Sequence, residues 1–593
     1  MNNQATASDG SAPVLTQHAL LVAWGLYAQQ IGLIEQLEQV KLKQKHHEHQ
    51  PQSKVLEFLV AILAGYQHLQ EISRSAHPLD QDDIVAAAWG QPSWADYSGV
   101  SRTLQRLTEP EASDVIAVLE KVSHPFIQQE IRLAVQHLGY LVYDADLTGR
   151  PVSSTSTSYP DTAFGYMGDT ICLGYQVALV SFHSPHYGRL WLANQLHPGD
   201  TVSVSQAQAL VLAAEQRTGV RPLRRVHLVQ QRIQQAEACC CAAEQQAAAS
   251  EELLRLAQRR VQETQHALAE AQRHCWLVET DYDREQRQPT RHCKLTRAKQ
   301  QVLMYQQRLP RTQQALGVAQ RRSTRHTALW VAADTELTRL RQHAERLVAD
   351  NTTNPQPVRI HLRLDGGFAS QENLAWVIEM GYDLYSKARS THVRDTLLAA
   401  VTPASPWQRV GGNASLLAWA NTTVDGAFLY PLNVALAQYY TGETHRHAVF
   451  LHYGADDVTQ HLVQWFHTYN ARQTIEAGIK ESKGVFQMHH LKVRSPQALR
   501  LQEHLACFAA NFVRFAAVWL NKQQVQTIGL DTTSVKQMVR VAAHTSAYVV
   551  RQGDSWLLLF TEQSLYAGSV LRLGHGPLQL PLPCFGNVYF CDF

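Results

Sequence analysis

A chain of 593 residues is more than one hydrophobic core can organise, so roughly three to five domains are expected. Apolar residues make up 45% and charged residues 18%, which excludes a disordered chain. The net charge of +2 excludes a global basic field, so any nucleic-acid surface must be built from local patches. Nine cysteines without a paired spacing exclude a disulfide scaffold and point to a reducing compartment. No run is long enough for a membrane span. The apolar run from Ala19 to Tyr27 lacks a preceding basic region and reads as a helix rather than a signal peptide. The expectation is a soluble, cytoplasmic protein with no membrane partner.

Residues 1–14 are small and polar and are expected to be disordered. Residues 15–138 read as helical: Leu20, Trp24, Tyr27 and Ile31 mark one apolar face, and Leu56, Leu59, Ile62, Leu63 and Tyr66 another. From Ser98 the run SGVSRTLQRL predicts a short helix with a serine cap and Arg102 on its exposed side. It is either a plain bundle helix or one that enters a major groove. Residues 139–222 form the first part of a core. Gly139 to Asp146 (GYLVYDAD) predicts an apolar strand ending in two acids. Strands at 171–181 and 190–193 and a helix at 202–218 then give a meander with a crossover.

Residues 223–350 change character to Gln, Ala and Arg with few aromatics. Leu254, Val261 and Leu268 recur every seven positions, as do Leu295, Val302, Leu309 and Leu316, and then Leu340 and Leu347. That is a coiled-coil seam on two arms, an antiparallel hairpin with its tip at 281–291. Pro310 is expected to kink the returning arm. Residues 221–350 hold 22 Lys and Arg against 14 Asp and Glu, a charge that suits DNA backbone or plain solvation. His274-Cys275 and His292-Cys293 flank the tip, but their spacing fits no common zinc pattern.

The core pattern resumes over 351–389, with a strand at 358–364 (VRIHLRL), the turn Asp365-Gly366-Gly367-Phe368, a helix near 370–380 and a strand at 382–386. Residues 390–452 read as a β-rich insertion carrying Trp407 and Trp419. The third core part spans 453–525. Residues 526–593 read as a C-terminal α+β region with a helix near 533–543, strands near 547–550 and 556–560, and a Pro- and Gly-rich end.

Within the third part, YNARQTIEAGIKESK places Tyr469, Arg472, Glu476 and Lys483 on one face of a continuous helix. The face is either a solvated surface with an Arg–Glu pair or a set of groups that meets phosphate or metal. Asp146 and Asp365 stand at strand ends, where functional groups of α/β sheets gather. Two strand ends and one helix can converge three carboxylates. Hard oxygen donors of that kind suit two Mg²⁺ or Mn²⁺ ions. Asp144 shares a strand face with Asp146 and is a further possible ligand.

Three blocks carry a family resemblance: Asp146-Leu147-Thr148, Arg363-Leu364-Asp365-Gly366-Gly367-Phe368, and Tyr469/Arg472/Glu476/Lys483. Over roughly residues 95–520 the chain resembles bacterial insertion-sequence DDE transposases of the subgroup with a YREK signature. The resemblance implies a multidomain α/β protein with a ribonuclease H-like mixed-sheet core and a helical N-terminal DNA-binding domain. It implies metal ligation by Asp146, Asp365 and Glu476, and phosphate contacts from Tyr469, Arg472 and Lys483. It also implies double-stranded DNA as partner, with cutting at terminal inverted repeats, joining of 3′ ends to a target, and a homodimer on paired ends. Trp407 or Trp419 then becomes a candidate for stacking on a flipped base. The coiled-coil hairpin lies outside that pattern. The rivals are a nuclease that cuts without joining and a catalytically silent, transposase-derived DNA-binding protein.

Overall fold

The computed structural model describes residues 12–45, 48–168, 170–442, 444–522, 534–552, 555–564 and 566–574. Most of the stretch expected to be disordered (1–11), the Pro- and Gly-rich end (575–593) and the first residue of the helix expected near 533 lie outside them. The chain divides into two compact units, residues 224–355 and the remainder.

The strands of the larger unit, in chain order, are β1 (Val14–Thr16), β2 (Leu141–Pro151), β3 (Ala163–Tyr166), β4 (Ile171–Phe182), β5 (Leu190–Pro198), β6 (Ile360–Leu364), β7 (Asp383–Lys387), β8 (Gln408–Gly411), β9 (Ala414–Thr422), β10 (Leu432–Thr441), β11 (Thr444–Tyr453), β12 (Ala547–Gln552), β13 (Ser555–Phe560) and β14 (Val570–Gly574). Ten of them form one mixed sheet in the order β3-β4-β2-β6-β7-β11-β10-β9-β8, with β5 also on β4. The β2–β4–β5 meander is antiparallel. β6 lies parallel to β2, and β7 parallel to β6. The 408–453 strands continue this same sheet, because β11 pairs antiparallel with β7. A second, four-stranded sheet joins β1 to β12, β13 and β14, so residues 14–16 are ordered strand.

The N-terminal part is helical, as its apolar periodicity requires. Its longest helix, Glu109–Leu138, starts with a reciprocal Thr108–Glu111 capping box and ends at Gly139. Gly139 sits at φ +75°, a left-handed conformation that costs glycine little and turns the chain into β2. Alternation along β2 then sorts its side chains. Tyr143 points to one face and donates to Thr218 Oγ1 at 3.0 Å on helix Ser203–Thr218. Asp144 and Asp146 point to the other, where helix Gln473–Gly484 packs.

The smaller unit is two 59-residue helices, Val226–Arg284 and Lys294–Thr352, packed against each other along their length. Cys240, Ala247 and Val261 bury one seam at sevenfold spacing, and Leu340 and Leu347 the other. The second helix runs through Pro310 without interruption. Cys293 caps that helix, its Sγ accepting from Thr296 N at 3.4 Å.

Candidate active site

The strand register decides what each acid on the functional face does. Asp144 lies directly opposite Arg363 in the parallel β2–β6 ladder, and Ala145 opposite Leu364. There β6 ends, while β2 continues beside β4 as far as Pro151. Asp146 and Asp365 are the next positions on the two strands, at the point where they part.

Asp144 is 1% exposed, and Arg363 grips it with two bonds, Nε to Oδ1 at 2.5 Å and Nη2 to Oδ2 at 2.6 Å. Arg363 also donates to Thr468 O at 3.0 Å. With both oxygens spent on a buried guanidinium, Asp144 is not available as a metal ligand, which corrects the expectation that it competes with Asp146.

Asp146, Asp365 and Glu476 converge on one group. Arg472 Nη1 lies 3.4 Å from Asp146 Oδ2, and Arg472 Nη2 lies 3.5 Å from Asp365 Oδ1 and 3.0 Å from Glu476 Oε1. The side chains of Asp365 and Glu476 are 49% and 46% exposed, so the trio opens to solvent on their side. Burial pushes the Asp146 carboxyl up to about 6, as do the nearby Asp365 and Glu476 charges, while Arg472 opposes the shift. These carboxylates crowd negative charge, and one arginine offsets part of it.

The four signature residues do not share a single helix. Helix Leu462–Asn470 ends before Arg472, and a second helix, Gln473–Gly484, follows. The junction tightens into three-residue bonds: Arg472 N to Tyr469 O, Thr474 N to Ala471 O and Ile475 N to Arg472 O. Tyr469 therefore falls on the buried side at 2% exposure. Its hydroxyl donates to Leu364 O at 3.4 Å, and its ring meets Phe450 edge-on at 5.0 Å. Tyr469 braces the end of β6, which carries Asp365, and is not an exposed phosphate contact. The second helix lies close to the residue preceding β5: a Cβ at Gly478 would collide with the Arg189 guanidinium. Glu481 holds the same helix to Arg514 at 2.6 Å.

Lys483 is half-buried and feels both Asp146 and Glu503; burial lowers its pKa. Lys387, the last residue of β7, places Nζ 5.1 Å from the Tyr469 ring centroid and senses Asp365 and Glu476. It stands at the carboxyl end of a parallel strand, a position that by itself marks it for attention. Trp407 and Trp419 are half-buried, and Trp419 lies on β9, separated from β6 by β7, β11 and β10. The structure does not bring it to the acids. Arg102 is exposed on helix Tyr97–Gln105, whose cap is Asp96 rather than Ser98.

The donor chemistry of the acid trio fits a hard divalent cation. The oxygens close on Arg472, however, and among the described residues no group of three His, Cys, Asp or Glu side chains is already gathered as a metal cage. No helix among them is long and apolar enough to cross a membrane. No family model matches the chain, and no curated protein matches it either.

Proposed function

We propose that the chain is a metal-dependent DNA transposase with a ribonuclease H-like core, acting by phosphoryl transfer on double-stranded DNA as a homodimer on paired ends. The observation that carries this reading is the convergence of Asp146, Asp365 and Glu476, from three distant segments, on the single guanidinium of Arg472. An antiparallel meander followed by two parallel strands, with acids where adjacent strands part, supports the core assignment. The three carboxylates would hold two Mg²⁺ or Mn²⁺ ions, which when bound activate a water or 3′-hydroxyl and stabilise the leaving oxygen.

The chain's own groups divide the remaining work. Arg472 offsets part of the acids' charge before cations and DNA arrive. Once released, its planar fork suits a phosphate. Lys483 supplies a second positive charge near Asp146. Tyr469 fixes the strand end that carries Asp365.

The test uses the full chain, a labelled duplex ending in the inverted repeat that brackets the gene, a plasmid target and Mg²⁺ or Mn²⁺. Cleaved and joined products are expected. They should fall on the order of a thousandfold or more in Glu476→Gln while DNA binding persists. Cleavage without joining would establish the nuclease rival, and binding without cleavage by the native protein would establish the silent DNA-binding rival.

A further inference from the structure

We propose that the cleft between helix Tyr97–Gln105 and the segments 151–159 and 489–494 seats the phosphate backbone of duplex DNA, about 20 Å along β2 from Asp146. The cleft has a volume of about 660 Å³, and no Asp or Glu among the described residues lines it. Its positive or protonatable groups come from separate segments: His68 from one, and His489, His490, Lys492 and Arg494 from another. His489 and His490 lie with ring centroids 3.9 Å apart, and His68 meets His490 edge-on at 5.5 Å. On the opposite wall, Tyr97, Ser101 and Gln105 recur at fourfold spacing, so one stripe of the helix faces the cleft. Arg102 is not among the lining residues.

Further cations lie beneath the cleft. Arg150, Lys483 and Lys492 surround a single carboxylate, Glu503, which is fully buried against Arg150. Nε and Nη1 of Arg150 have no hydrogen-bond partner among the described residues. Glu71 also reaches Lys492 and Asp146 also reaches Lys483, so the floor supplies two half-buried lysine cations, each shared between two acids, and links the cleft to the acid trio.

The composition selects the occupant. A single strand is held by bases stacked on open aromatic faces. Among the described residues no Trp or Phe lines this cleft, and of its two tyrosines Tyr97 carries the Arg74 guanidinium over its ring and Tyr159 is tied by its hydroxyl to Leu491 O at 3.4 Å. A small anion calls for donors converging on one point, whereas these are spread over several segments. Hydroxyl, amide and cationic groups along a trough are what a phosphodiester backbone requires. A spacing of about 20 Å corresponds to about six nucleotides from the cleavage point.

The choice of DNA rests on the transposase reading, and the test separates the two. Full-length protein is titrated in EDTA with a fluorescein-labelled duplex carrying the terminal repeat, across a salt series. Lys492→Gln/Arg494→Gln should bind about 10- to 100-fold more weakly, with the slope of log K against log salt reduced by about two. His68→Gln, on a separate segment, should weaken binding in the same direction, and Arg446→Gln on β11 should leave it unchanged. Methylphosphonate substitution about six nucleotides from the scissile end should weaken native binding but not the double variant's. An unchanged slope in a double variant whose thermal unfolding is native-like overturns the proposal. So does displacement of DNA by inorganic phosphate beyond that by chloride of equal ionic strength, which would mark a small-anion pocket. Cleft-dependent binding without any cleavage would keep this inference and remove the transposase reading, and cleavage indifferent to the cleft variants would do the reverse.

Discussion

Two layers of charge sit two residues apart on the same pair of strands and meet opposite fates. In the inner layer β2 offers Asp144 and β6 offers Arg363, and the two close on each other with two hydrogen bonds in the protein interior. In the outer layer β2 offers Asp146 and the residue just after β6 is Asp365, so like charges meet where the ladder ends. The helix adds Glu476, and Arg472 from the helix junction meets all three and offsets part of their charge. The inner layer is complete within the sheet. The outer layer holds more carboxylates than its one arginine can offset, an imbalance that does nothing for stability and is the ground for the functional reading proposed above.

Breaking the inner layer should produce the largest effect. Arg363→Ala leaves Asp144 buried and unpaired, a loss of about 3–5 kcal/mol in denaturant unfolding. The double replacement Asp144→Leu/Arg363→Met should recover most of that loss, because neither charge is then stranded. Asp365→Asn in the outer layer removes a half-exposed carboxylate from a crowded trio and should change stability by no more than about 1 kcal/mol. Equal losses from Arg363→Ala and Asp365→Asn would erase the distinction between the layers.

A smaller effect sharpens the outer layer. Arg472→Gln removes the opposing charge, and in EDTA it should cost about 1–2 kcal/mol, discounted for the exposure of two of its three partners. Mn²⁺ should then raise the Tm of Arg472→Gln more than that of the native protein, since the ion no longer competes with a guanidinium. A larger Mn²⁺ response in the native protein would mean that Arg472 does not occupy the place of a cation.

The sequence disclosed the acids better than their surroundings. Strand patterning and the turn after β6 located Asp146 and Asp365, and the i, i+4 spacing located the Arg472–Glu476 pair. Alternation placed Asp144 and Asp146 on one face but could not say which was sealed. That depends on the register with β6, a contact across more than two hundred residues. The helical wheel misplaced Tyr469 because it assumed a continuous helix, whereas bonds at 469–475 tighten the backbone and rotate the phenol inward. The basic cleft was illegible for the same reason. His68, Tyr97, Val152 and Lys492 share nothing in sequence until the fold brings their segments together.

A third buried acid extends the comparison to a carboxylate held without a bonded arginine. Glu57, in helix Pro51–Leu63, is fully buried and accepts one bond, from Ala95 N to Oε2 at 3.0 Å. Burial pushes both carboxyls up; at Asp144 the Arg363 guanidinium opposes the shift, whereas Glu57 has no bonded arginine among the described residues and rises to about 9 from the usual 4.5, so it keeps its proton. The folded state then binds a proton that the unfolded state has released. This contribution to stability is complete below the unfolded value of 4.5 and is lost as pH rises through about 9. Over that window the slope is on the order of 1 kcal/mol per pH unit. Glu57→Gln should match the native protein most closely in acid and become progressively the more stable of the two with rising pH, as read by denaturant unfolding at several pH values. A constant difference across the window would mean that Glu57 ionises without penalty, and burial alone would then not distinguish the acids of this protein.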